Sequence, residues 1–166
     1  MIGDRWGVDD DETLRPYPCD DFVPSPTLSA WRGVTVRASS EVVWPWVGQI
    51  RLAPYSYDWI DNLGRRSPRE PADLPEPHVG ERFTATGGRP LGRIVSVTPG
   101  EQLTATIIGA FMSYVLVPRD ADTTRLLLKV VIRTNRLLAP GLSVGDLIMA
   151  RRQLLNLKSL AESHRR

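Results

Sequence analysis

Hydrophobic positions change rhythm several times along the chain, and each change marks an element. In WRGVTVRA (31–38), Val34 and Val36 alternate with Thr35 and Arg37, which predicts a first strand. The rhythm then turns helical: Val43, Trp46, Val47 and Ile50 share one face. Ser39 or Ser40 can cap this helix, and Glu41 meets its positive end. Pro45 lies beyond the first turn, where its missing N–H should kink the helix. LAP interrupts it, and SYDWIDNLG predicts a short second helix with Ser56 or Asp58 near its start and Gly64 past its end.

Residues 1–29 read as an acidic arm in which Pro16, Pro18, Pro24 and Pro26 discourage regular structure. The connection from Gly64 to Gly80 is rich in Arg, Pro and Glu, is long for a compact domain, and by composition is partly mobile. VGERFTATGGRP, PLGRIVSV, EQLTATII, AFMSYVLV and TTRLLLKVVIRT predict strands separated by turns. In the last, Leu126, Leu128, Val130 and Ile132 face one way, while Arg125, Lys129 and Arg133 line the other with Leu127 and Val131. VGDLIMARRQLLNLKSLAESH predicts a long C-terminal helix with Leu147, Ala150, Leu154, Leu157 and Ala161 on its apolar face. The fold class is therefore α+β: a curved antiparallel sheet wrapped around a long C-terminal helix, with two short helices after the first strand. Residues 30–166 form that domain and residues 1–29 its arm.

Composition narrows the choices. A chain of 166 residues, 42% hydrophobic, can bury a core without staples. The single Cys19 excludes an intrachain disulfide framework and fits a reducing compartment. No signal-peptide pattern opens the chain and no apolar run is long enough to span a membrane, so the expectation is a cytoplasmic protein. The formal charge is +2, with acidic groups gathered in residues 1–21 and basic ones in residues 125–166. That asymmetry reads as an acidic arm and a basic outer face. No nucleic-acid-reading module is visible, and no such partner is expected.

The motifs resemble the START-like, helix-grip superfamily, and more closely its bacterial polyketide cyclase/dehydrase-like (SRPBCC) branch, most of whose members lack a demonstrated function. The resemblance runs from about Trp31 to Ser163. It rests on TVRASSEVVWPWVGQI, YSYDWIDNL, HVGERF after a Pro-rich loop, and GDLIMARRQLLNLKSLAE. It implies a hydrophobic ligand cavity between sheet and C-terminal helix, and transfers no catalytic residue. In that branch a glycine-rich segment ending Gly-Trp-Tyr precedes the second helix. Here the segment is RLAPYS, with Pro54 in place of the tryptophan.

Candidate ligand-binding residues at the cavity or its entrance are Trp44, Trp46, Tyr55, Tyr57, Asp58, Trp59, Phe111 and Tyr114. Trp44 and Trp46 point apart on a helix, so Trp46 joins the core while Trp44 meets the loop or another surface. Tyr55 and Tyr57 can offer hydrogen bonds from apolar walls. Asp58 can cap the second helix, accept from a neighbour or act as an acid. His78 and His164 lack partners at ligand spacing, so no metal is expected; no cofactor motif is visible either. Glu70, Asp73 and Glu76 read as surface charge in a loop. Three functions stay open. The first is binding of a small hydrophobic or lipid-like molecule. The second is a cyclase, dehydratase or aromatase acting on a poly-carbonyl substrate. The third is an interaction domain, monomer or weak homodimer, whose core is filled by Leu, Phe111 and Met112 and which uses the arm or the outer Leu127 and Val131.

Overall fold

The computed structural model describes residues 3–135, 137 and 139–164, and the side chains among them except those at 61, 139, 140, 142–144 and 147. Seven strands form one sheet: β1 (Arg5–Trp6), β2 (Leu28–Val36), β3 (Arg82–Thr86), β4 (Arg89–Thr98), β5 (Gln102–Ile107), β6 (Ala110–Asp120) and β7 (Thr123–Ile132). Their order is β1-β2-β7-β6-β5-β4-β3. All neighbours run antiparallel except β1, which joins β2 in parallel. Register shifts at Ile94/Ser96 and Pro118/Asp120 help bend the sheet. Helices α1 (Asp10–Leu14), α2 (Ser40–Gly48) and α3 (Asp58–Asp61) precede β3, and α4 (Ala139–Ser163) closes the fold.

The sheet's concave face and α4 enclose the main core, as the alternation requires. Val34 and Val36 of β2 and Leu126, Leu128 and Val130 of β7 meet Leu154, Leu157 and Ala161 of α4 there. Leu147, expected on the same face, lies outside the described side chains. Helix α2 continues through the exposed Pro45 and closes one end with Val43, Trp46, Val47 and Ile50, all buried. Ser39 occupies its cap position without a side-chain bond, leaving Glu41 as the favourable first-turn charge.

The acidic arm is more ordered than its prolines suggest. A capping box between Asp9 and Glu12 starts α1, and a 3-10 turn follows at Pro18–Phe22. Gly7 adopts φ +67°, and a Cβ there would stand 2.2 Å from the carbonyl oxygen of Gly33, so only glycine lets the arm lie this close to β2. Tyr17 and Cys19 cover Val115, Leu127 and Val131 on the convex face, so the outer apolar positions of β7 are buried rather than available to a partner.

Charge completes the seal. Glu12 accepts two hydrogen bonds from Arg125 at 2.7 Å. Lys129 pairs with Asp20 at 2.6 Å and lies over the rings of Tyr17 and Trp31. Arg125 and Lys129 of the basic end are thus paired with Glu12 and Asp20 of the acidic arm within the molecule.

Candidate functional site

A cavity of about 210 Å³ lies between the concave sheet and α4 and opens to solvent. Its walls are mostly apolar, with Ile50, Phe83, Ile107, Met112, Leu128 and Val130 among them. Helix α4 presents Asp146, Met149, Ala150 and Gln153, a set of positions three, four and seven apart that one helical face must share. This volume is below the roughly 300–1,000 Å³ usual for ligand pockets, so only a small molecule would fit.

The polar groups gather toward α4, and most are committed. Tyr114 donates to Gln153 Oε1 at 2.6 Å, and Gln153 Nε2 donates to the Pro54 carbonyl at 2.6 Å. Burial pushes the Tyr114 hydroxyl far above its usual range, reinforced by the charge of Asp146. Ser56 donates to the Met149 carbonyl at 2.9 Å. Asp146 Oδ2 accepts from Arg32 Nη2 at 3.0 Å. The Arg32 side chain is 0% exposed and that of Asp146 28% exposed. Burial raises the Asp146 carboxyl above its ordinary pKa, with Arg32 pulling the other way. Thr84, on the sheet side, is buried, and its Oγ1 finds no partner among the described residues.

Of the eight candidates, only Tyr114 lines this cavity. Phe111 belongs to the opposite face: it pairs with Val131 in register and stacks on Phe22 at 5.1 Å, because alternation sends Met112 and Tyr114 inward and Phe111 outward. Trp46 is core, edge-on to Tyr55 at 6.4 Å. Trp59 is 74% exposed on α3. Tyr57 is half-buried beneath the Arg152 guanidinium.

The remaining candidates fasten the 64–80 connection. Trp44 Nε1 donates to Glu76 at 2.9 Å, giving one of the loop carboxylates a partner instead of bulk water alone. Asp58 does not cap α3, whose cap position is Tyr57; it accepts from the Ser67 N–H at 2.9 Å and the Ser67 hydroxyl at 2.5 Å. The Tyr55 hydroxyl donates to the Pro68 carbonyl at 2.7 Å and accepts from Gln49. Burial pushes that hydroxyl up to about 12. Tyr55 sits at φ +56°, a conformation costing on the order of 1–2 kcal/mol for a side chain of this kind; Asn156, donating to its carbonyl at 2.9 Å, helps to hold it there. Gln49 and Arg51 clasp the backbone at Glu70, Ala72 and Pro75. Five side chains therefore tie down a stretch whose composition suggested mobility.

Sequence reasoning missed Asp146, Gln153, Ser56 and Arg32. One signal was present: Arg32 falls in phase with Val34 and Val36, so a strand predicted to be apolar on that face carried a charge requiring a partner. Among the described residues, no three His, Cys, Asp or Glu side chains converge as a metal site would require, and no helix is long and apolar enough to cross a membrane.

Fold and cavity together define an α+β helix-grip protein with a small, chiefly apolar pocket. No family model matches the chain, and no curated protein matches it. Solved structures share its fold. A protein from Thermobifida fusca superposes with a TM-score of 0.55 at 20% identity, over 83% of this chain and 97% of that one. One from Mesorhizobium loti gives 0.54 at 16% identity, over 82% and 98%. A conserved protein of unknown function from Enterococcus faecalis gives 0.51 at 13% identity, over 82% and 72%. At such identities the likeness establishes the fold alone.

Proposed function

We propose that the chain binds a small, largely apolar molecule in the cavity between the concave sheet and α4, as a START-like protein of the SRPBCC type. The observation that carries this is the cavity itself: a chiefly apolar space between sheet and α4, with a few polar side chains among its walls. The motif order from VWPW to the C-terminal helix supports it. A cytoplasmic monomer or weak homodimer fits the buried, unpaired Cys19 and the covered convex face, and light scattering across concentrations tests the oligomeric part.

Proton transfer on a poly-carbonyl substrate is a second reading, and Asp146 is what favours it. Binding ranks first because Tyr114, Gln153 and Ser56 already serve protein partners.

Cyclohexanol is a suitable probe. Burying about five methylenes at ~0.8 kcal/mol each gives about 4 kcal/mol, a Kd near ~1 mM. At ~10 mM it should raise the melting temperature by mass action, and Met112→Trp, which fills the cavity, should abolish the rise. An unchanged melting temperature in the wild type, or an equal rise in the variant, contradicts the proposal.

A further inference from the structure

Asp146 is the one charged side chain among the described residues that line the cavity. Its Oδ2 is taken by Arg32, which lies behind it in β2, fully buried and also donating to the carbonyls of Asp4 and Trp31. Its Oδ1 accepts no hydrogen bond among the described residues, and the side chain keeps 28% of its surface exposed. An ionised carboxylate is an acceptor with room for about four bonds, so half of this one is still available to a donor. Asp146 shares its helical face with Met149, Ala150 and Gln153, which places the carboxylate at the polar edge of an otherwise apolar space. No cationic side chain is among the described lining residues, whose one charge is the carboxylate of Asp146.

We infer that the ligand is a small apolar molecule carrying a protonated amine, held by its nitrogen on Asp146 Oδ1 with its hydrocarbon body against Leu128, Val130 and Met112. This deepens the proposed binding function and rests on it. An ammonium supplies the strong charge-assisted donor that the open oxygen lacks. A hydroxyl supplies a weaker one, and a carboxylate or phosphate meets repulsion at short range in a low-dielectric wall. Amines are therefore favoured over fatty acids and anionic lipids, a distinction that an apolar cavity alone does not make.

Three probes of matched shape separate the possibilities: cyclohexylamine, cyclohexanol and cyclohexanecarboxylate, each titrated at neutral pH and followed by methyl NMR. The expected order is amine, alcohol, carboxylate, with the amine at least about tenfold tighter than the alcohol. Asp146→Asn should bring amine and alcohol within about twofold. Since that variant takes from Arg32 the carboxylate of Asp146, Arg32→Met/Asp146→Leu serves as a second test: both side chains are replaced together, and amine and alcohol should then bind within about twofold of one another. If the alcohol binds and the amine binds no tighter, the inference fails while the cavity's binding function stands. An amine preference that survives both replacements also overturns it. If none of the three probes binds, the binding function itself fails, and the inference with it.

Discussion

Arg32 Nη2 stands 3.0 Å from Asp146 Oδ2, joining the inner face of β2 to the face of α4 that borders the cavity. One end of the pair is fully buried and the other only partly so, and this asymmetry fixes what each replacement should do. Asp146→Asn takes one carboxylate from a buried guanidinium that keeps its bonds to the Asp4 and Trp31 carbonyls, and should cost up to about 3 kcal/mol. Arg32→Met/Asp146→Leu removes both charges and should lie within about 1 kcal/mol of wild type. Urea unfolding of the two variants checks the difference; equal losses would show that the pair contributes no such coupling.

Glu12 anchors the arm and makes its docking sensitive to acid. Burial alone would raise its carboxyl, but hydrogen bonds from Arg125 and the Asp9 N–H outweigh it and hold the folded value below 4.5. Its contribution is therefore complete above 4.5 and is lost as pH falls through the lowered folded value. Glu12→Gln should cost about 1–3 kcal/mol near neutrality. Urea midpoints taken from about pH 6 down to about pH 3 should fall further in wild type than in the variant.

Cys19 reports on the same docking. Burial pushes its thiol up to about 11, against the opposing hydrogen bond with Ser113. At about pH 8, alkylation of the folded protein should be at least about tenfold slower than in urea. Gly7→Ala, which would drive a methyl group into the Gly33 carbonyl, should restore much of that reactivity without altering the cavity. Rapid alkylation of native wild type would mean that the arm does not cover the convex face.

Asp58 holds the 64–80 connection through Ser67. Asp58→Ala should lower stability by about 1–2 kcal/mol and raise tryptic cleavage after Arg65, Arg66 or Arg69 several-fold. A residue serving only as a helix cap would leave that cleavage unchanged.

The architecture was legible because its signals are local. Alternation in TTRLLLKVVIRT and the three-and-four spacing around Leu154 and Leu157 each specify a buried face without knowledge of the partner. VWPW turns Trp46 and Trp44 apart by helical geometry, and the expected loop contact of Trp44 is found at Glu76, yet both rings are buried in the same core. The candidate site was less legible because an aromatic side chain suits a pocket wall and a loop anchor equally well. Tyr55 and Trp44 instead act as fasteners for a loop remote in sequence, at Pro68 and Glu76. Phe111, a candidate for the cavity, is alternated outward by its own strand beside the inward Met112. Asp146 gains its meaning from Arg32, 114 positions away, and no spacing rule joins two residues that meet only across a folded sheet and helix.

On the proposed function, the space between sheet and α4 takes up a small apolar molecule. Methyl NMR during a cyclohexanol titration tests it most directly, since Ile50, Ile107, Leu128 and Val130 line the cavity while Leu127 and Val131 lie on the convex face. The expected result is saturable shifts at the first four, silence at the latter two, and no change in that pattern for Phe111→Ala. Shifts absent from the cavity methyls, or spread equally over both faces, would contradict it.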